Sequence, residues 1–231
     1  MQIIERSRRA VIDTIERSAN IIKDAVNRVR YSALADPQKL IWVDPAAIEK
    51  YNCLPLRKKH GAFVAGLVAD GDWDENSRPI NEHPVFLGLQ ERYVDRVPWE
   101  KTKLFHNDGY LYIKKGSPRE ICVRRDLLFE SIKENGVVAD HPASPGKQHE
   151  GVKNVIVFIG RRGEFVFSCR GWHRLCMSRF LQVEKIPVQV LMRHREWQRI
   201  REEIANPRGR LSSSARSHID HPDMADICRR K

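Results

Sequence analysis

Residues 155–190 read VIVFIGRRGEFVFSCRGWHRLCMSRFLQVEKIPVQV. The apolar run Val155 to Ile159 predicts a strand, and Arg161-Arg162-Gly163 a tight turn after it. Glu164 to Phe167 predicts a second strand, followed by a polar loop that ends at Gly171. Trp172, Leu175, Met177, Phe180 and Leu181 then recur at helical spacing, and Ile186 to Val190 is a further strand. The order strand, turn, strand, glycine, helix, strand places Gly171, His173 and Arg174 together at a helix N-terminus. Unpaired N–H groups, the positive end of the helix dipole and two donor side chains make that a phosphate site in expectation. A glycine there lets the backbone approach phosphate oxygens closely.

Gly171-Trp172-His173-Arg174, with Leu181 and then Ile186-Pro187-Val188, resembles the second signature box of the ParB/sulfiredoxin superfamily. Asp126 to Gly136 (DLLFESIKENG) is similar to the helix that leads into its first box, and Trp42-Val43-Asp44-Pro45 with Ile48 to its opening strand. The resemblance covers roughly residues 40–52 and 117–195. It implies an α+β fold, a small mixed sheet packed by helices, and a nucleotide-type pocket at Gly171, Trp172, His173 and Arg174. ATP, ADP or CTP with Mg²⁺ is the cofactor set implied. The free serine kinases of the superfamily are similar in placing a catalytic acid near the position of Glu120, which implies Glu120 and His173 as catalytic residues. The other reading of Glu120 is local: Ser117-Pro118-Arg119-Glu120 is a capping box with proline at the first helical position. The chain departs from the family after Gly136, where Val137 to Pro142 replaces the expected strand of the first box.

Two branches of that superfamily are disfavoured. Sulfiredoxin-like reduction needs a cysteine directly before the histidine, where this chain has Trp172. Partition proteins carry a long helix-turn-helix region after the domain, and only about 40 residues follow Val190 here. The stand-alone, kinase-like branch is nearer. The expectation is a nucleotide-binding protein that transfers phosphate to a small hydroxylated metabolite. Nucleotide-gated binding of DNA or RNA is the alternative, and a nuclease a third reading without a paired metal-ligand set to support it.

Composition bounds these readings. The 231 residues suit one domain with extensions, and no apolar run approaches the ~18 residues of a membrane span. The net charge of +11 points to an anionic partner. Residues 1–33 hold seven Lys/Arg against four Asp/Glu, and residues 207–231 hold six against three, so the middle is only mildly basic. Cys53, Cys122, Cys169, Cys176 and Cys228 are widely spaced and form no CxxC pair. That pattern indicates neither a disulfide framework nor a zinc knuckle, no metal site is expected, and a reducing cytoplasm fits.

The expected organisation is a basic amphipathic helix within 1–35, a domain over 36–206 with an insertion at about 52–116, and a disordered basic tail over 207–231. Ile4, Val11, Ile15, Ala19, Ile22, Val26 and Val29 form the stripe of the first helix, which would dock on the domain or pair in a homodimer. Asp44-Pro45 opens a short helix over 46–51. Residues 83–105 are expected to be helical, with Val97-Pro98-Trp99 marking the end of the helix and Trp99 to Thr102 opening another short turn. The turn Asp70-Gly71-Asp72-Trp73-Asp74 could take a metal or a cationic ligand, or be a solvated loop pinned by Trp73. Asp72 and Asp74 join Glu120 as acids within reach of a phosphotransfer reading. His218, Asp220, His221, Asp223 and Cys228 invite a metal reading that an unstructured tail would not support.

Overall fold

The computed structural model describes residues 29–36, 39–54, 66–106, 117–139, 154–206 and 208–228. The expected helix over 3–30 lies outside these residues apart from Val29 and Arg30, which are helical.

Seven strands make one mixed sheet: β1 (Leu40–Val43), β2 (Lys50–Tyr51), β3 (Leu67–Ala69), β4 (Arg78–Pro79), β5 (Val155–Ile159), β6 (Phe165–Arg170) and β7 (Ile186–His194). The order is β1-β7-β5-β6-β2-β4, with β3 on the far half of β7. β5 runs parallel to β7 and antiparallel to β6, and β2 lies parallel to β6. β1 pairs antiparallel with the first half of β7, Trp42 opposite Pro187, and β3 pairs parallel with Met192 to His194. The helices are α1 (Pro84–Tyr93), α2 (Lys103–His106), α3 (Pro118–Asn135), α4 (Trp172–Phe180), α5 (Arg195–Ala205), α6 (Ser213–Ser217) and α7 (Ala225–Cys228). The coarse expectation of an α+β chain with a mixed sheet holds. None of the described helices is long and apolar enough to cross a membrane.

Every residue of β5 is buried, which explains its unbroken apolar run. Val155, Val157 and Ile159 face the helices with Phe165, Phe167 and Leu175. Ile156 and Phe158 face the other side, under Trp73, Val166, Leu191 and Met192. Each such side chain contributes about 1.5–3 kcal/mol by leaving water. The register slips between Val157/Val190 and Phe158/Met192, so Leu191 is an extra residue that moves β7 from one face to the other. That slip hides the strand's second half from a period-two reading, which ends it at Val190.

Residues 66–106, within the expected insertion, join this sheet and core. β4 pairs with β2 and β3 with β7. Asp126 on α3 accepts hydrogen bonds from Arg92 Nη2 at 2.9 Å, Tyr93 Oη at 3.1 Å and Trp99 Nε1 at 3.0 Å. The helix expected from 83 to Val97-Pro98-Trp99 stops earlier, at Tyr93, where Arg96 turns left-handed at φ 60°, and the short turn expected from Trp99 is a 3₁₀ turn, Trp99–Lys101. The helix expected at 46–51 is a 3₁₀ turn, Pro45–Ala47, capped by Asp44 as anticipated, and Lys50–Tyr51 goes to the sheet. α3 begins as its capping box predicts, Ser117 and Glu120 bonding reciprocally.

The expectation of a disordered tail is overturned. Residues 208–228 form short helices docked on α5, and Met224 and Asp223 are buried. Asp223 accepts from Arg193 Nε at 2.9 Å and Nη2 at 2.6 Å, and from Trp197 Nε1 at 2.9 Å. Arg201, fully buried, lies 3.1 Å from the same carboxylate and 3.1 Å from Asp226, and its Nε donates to Ala33 O. Burial alone would raise the Asp223 carboxyl, but the two guanidiniums outweigh it and hold it far below the usual range. His221 stacks on Phe165 and meets Trp197 edge-on, with Nε2 3.0 Å from Gly163 O and Nδ1 accepting from Asp223 N.

Two outcomes are expected. Asp223→Asn leaves Arg193 and Arg201 buried against one missing charge, so equilibrium denaturation should show a loss of about 3–5 kcal/mol. Burial also pulls the His221 imidazole down to about 4 from its ordinary 6.5. The unfolded chain therefore binds the extra proton between those values, and stability present above pH ~6.5 is lost as pH falls through ~4, by about 3 kcal/mol. Urea titrations across that window should show the slope in wild type and a flatter profile in His221→Phe.

Candidate functional site

The start of α4 is fixed by two constraints on Gly171. Its φ is 91°, and a Cβ there would stand 3.0 Å from Val155 Cα and 3.2 Å from Asn154 O. Only glycine satisfies both the left-handed turn and the close pass over the first residue of β5. Gly171 supplies no capping side chain, and its carbonyl accepts the first helical bond, from Leu175 N at 3.0 Å. Trp172, His173 and Arg174 are the first turn of the helix, each half-buried. The structure thus brings the four expected cofactor-binding residues together at one helix N-terminus.

Trp172 is placed by aromatic packing. Its ring stacks on His83 at 4.0 Å and 20°, and meets Phe167 at 4.6 Å and Tyr51 at 5.6 Å edge-on. His83 caps α1, its Nδ1 accepting from Val85 N, and burial lowers its proton affinity. Residues of β2, β6, α1 and α4 therefore meet in one cluster beside Gly171. Tyr51 and His83 were not foreseen as neighbours of the site. The His83-Pro84 pair marks a helix start in sequence, but nothing local says that its ring lies on Trp172. His173 and Arg174 both interact within the chain as well.

Glu120 is exposed on the first turn of α3. Its Oε2 accepts from Ser117 N at 2.8 Å while its own N–H donates to Ser117 Oγ at 3.3 Å. The backbone bond from Ser117 holds its carboxyl below the ordinary glutamate range. This is the capping-box reading, and the acid is charged rather than poised to carry a proton near neutrality.

The acidic turn has a cationic occupant from its own chain. Arg161, in the β5–β6 turn, donates from its backbone N (2.8 Å) and Nε (2.9 Å) to Asp74 Oδ2, and from Nη2 to Asp74 Oδ1 (2.9 Å), Asp72 Oδ1 (3.0 Å) and Gly71 O (3.0 Å). Its Nη1 is 3.2 Å from Glu75. Asp74 is buried, which alone would raise its carboxyl, yet the bonds from Arg161 leave it lowered. Asp70 pairs with Arg195. Asp70, Gly71 and Asp72 are exposed and Trp73 is buried against Phe158, as the pinned-loop reading has it, and Arg161 occupies the place where the sequence left room for a cation. Among the described residues no group of three metal-ligating side chains converges, the C-terminal histidines included.

The cysteine reading also needs correction. Cys53 and Cys169 form a disulfide, Cα atoms 5.3 Å apart, although 116 positions separate them. Cys122 and Cys176 are free and buried. Parallel pairing of β2 with β6 places Lys50 opposite Val166 and Tyr51 opposite Phe167, and the next turn of backbone brings the two sulfurs together. No spacing in the sequence signals that pairing. Set against family descriptions, curated proteins and solved structures, the chain matches none.

Proposed function

We propose that the chain is a nucleotide-binding protein of ParB/sulfiredoxin type, with phosphate oxygens received at the start of α4. The observation that carries this is Gly171 itself. It leads straight from a central strand into a nine-residue helix, supplies no side-chain cap, and is followed by His173 and Arg174 in the first turn. Backbone N–H groups of that turn would hold phosphate oxygens, and His173 and Arg174 would balance their charge. The Trp172, His83 and Tyr51 cluster offers rings beside that place against which a base could lie.

Phosphoryl transfer to a small hydroxylated metabolite is the reaction this reading leads to, and it narrows the acids to one. Asp72 and Asp74 are bonded to Arg161. Glu120 would have to leave its capping box to accept a proton from a hydroxyl. Among the described residues no group of three metal-ligating side chains converges, so the residues present do not fit a Mg²⁺ ion held by the protein alone. The nucleic-acid reading is the second one: the C-terminal segment is folded, and it keeps Arg208, Arg210 and Arg216 exposed.

The test is thermal unfolding with ATP, ADP, CTP and GTP, each with and without Mg²⁺, in wild type and Arg174→Ala. A nucleotide at 100 times its Kd should stabilise by about 2.7 kcal/mol, or roughly 5–10 °C for a chain of this size. The shift, taken relative to each variant's own baseline, should shrink in Arg174→Ala and depend weakly on salt. Absence of a shift with all four nucleotides would overturn the reading.

A further inference from the structure

The Cys53–Cys169 bond ties the end of β2 to the bulge that precedes α4. On one side, Asn52 N donates to Phe167 O at 2.9 Å and Asn52 Nδ2 donates to Trp73 O at 2.7 Å, which aligns the residue before Cys53. On the other, the β5–β6 ladder passes from Val157↔Phe167 to Ile156↔Arg170 and leaves Ser168 and Cys169 as a bulge. Ser168 Oγ ties that bulge to Ile156 O at 2.9 Å. Cys169 sits at φ 64° and Gly171 at φ 91°, so two left-handed residues flank Arg170 immediately before α4. L side chains adopt that conformation less readily than glycine, and at Cys169 the side chain is also bonded to Cys53.

We infer that Cys53 and Cys169 are a reversible thiol–disulfide latch that sets the backbone at the start of α4. Cys53 is exposed, so its sulfur is open to an external thiolate. A small dithiol would attack Cys53 Sγ, the Cys53–Cys169 bond would break, and Cys169 would leave as thiolate. The second thiol of the reductant then displaces Cys53, taking both electrons' worth of oxidation into its own disulfide and delivering two protons to the pair or to water. A low-molecular-weight disulfide such as oxidised glutathione drives the reverse exchange. Cys122 and Cys176 are buried, and burial pushes both thiols up, so neither competes as an exchanging thiolate. With the bond open, Cys169 can leave its left-handed conformation and the turn before Gly171 loosens. That this would govern phosphate binding rests on the function proposed above; that it sets this backbone does not.

The experiment compares the full chain oxidised with glutathione disulfide and reduced with dithiothreitol, by peptide mapping and amide hydrogen exchange. The oxidised sample should yield one peptide pair linked through residues 53 and 169. Reduction should speed exchange of amides 170–175 by about tenfold or more while residues 155–159 stay protected. Cys53→Ser and Cys53→Ala should show the fast pattern in both conditions. No linked pair after oxidation, or equal exchange at 170–175 in the two states, overturns the latch. Redox-dependent exchange with no melting shift from any nucleotide upholds the latch and removes the phosphate reading.

Discussion

The buried carboxylate of Asp223 is the constraint on which the rest of the molecule hangs. Two guanidiniums and an indole N–H meet it inside the fold, from Arg193 at the end of β7 and from Arg201 and Trp197 on α5. None of these charges could stay buried without the others, since a lone ion in that setting loses several kcal/mol of hydration. Arg201 extends the network to Asp226 and to the carbonyl of Ala33. A segment from each end of the described chain is therefore fastened to α5 through Arg201.

The same device recurs at smaller scale. Arg161 gathers Asp72, Asp74 and Glu75 over the β5–β6 turn, and Asp126 gathers Arg92, Tyr93 and Trp99 against α3. In each case one charged side chain organises a loop that has few apolar residues to bury. The arginines turned inward are matched by carboxylates, so these networks cancel or are net negative, and the net charge of +11 is carried by the remaining residues. What stays near the helix start of α4 is a smaller set, and the aromatic rings there shape the place as much as charge does.

What the sequence made legible was local. β5, the Ser117–Glu120 capping box, the glycine before α4 and the Asp44 cap each depend on residues within a few positions of one another, and each stands in the structure where the pattern put it. The features that escaped are pairings across the chain. Asp223 meets a partner 30 positions away in Arg193, Asp74 one 87 positions away in Arg161, and Cys53 one 116 positions away. The tail escaped for a further reason: helices of four or five residues are too short to show a periodic stripe, so a Ser- and Arg-rich segment that docks through one aspartate looks unpatterned. Glu120 and residues 171–174 stand at the helix starts that the pattern gave them, while the surroundings of Trp172 depend on side chains such as His83 and Tyr51 that only the fold brings near.

The pairing of β1 with β7 has a consequence for how the protein is made. Trp42 lies opposite Pro187, about 145 positions later in the chain. At roughly 5–20 residues per second, a ribosome leaves β1 without its neighbour for on the order of ten seconds. During that interval an apolar strand edge is exposed on a nascent chain, and the carboxylate that closes the network, Asp223, has not yet been synthesised. Pairing on this topology comes late, so the growing polypeptide carries unpaired apolar segments through much of its synthesis.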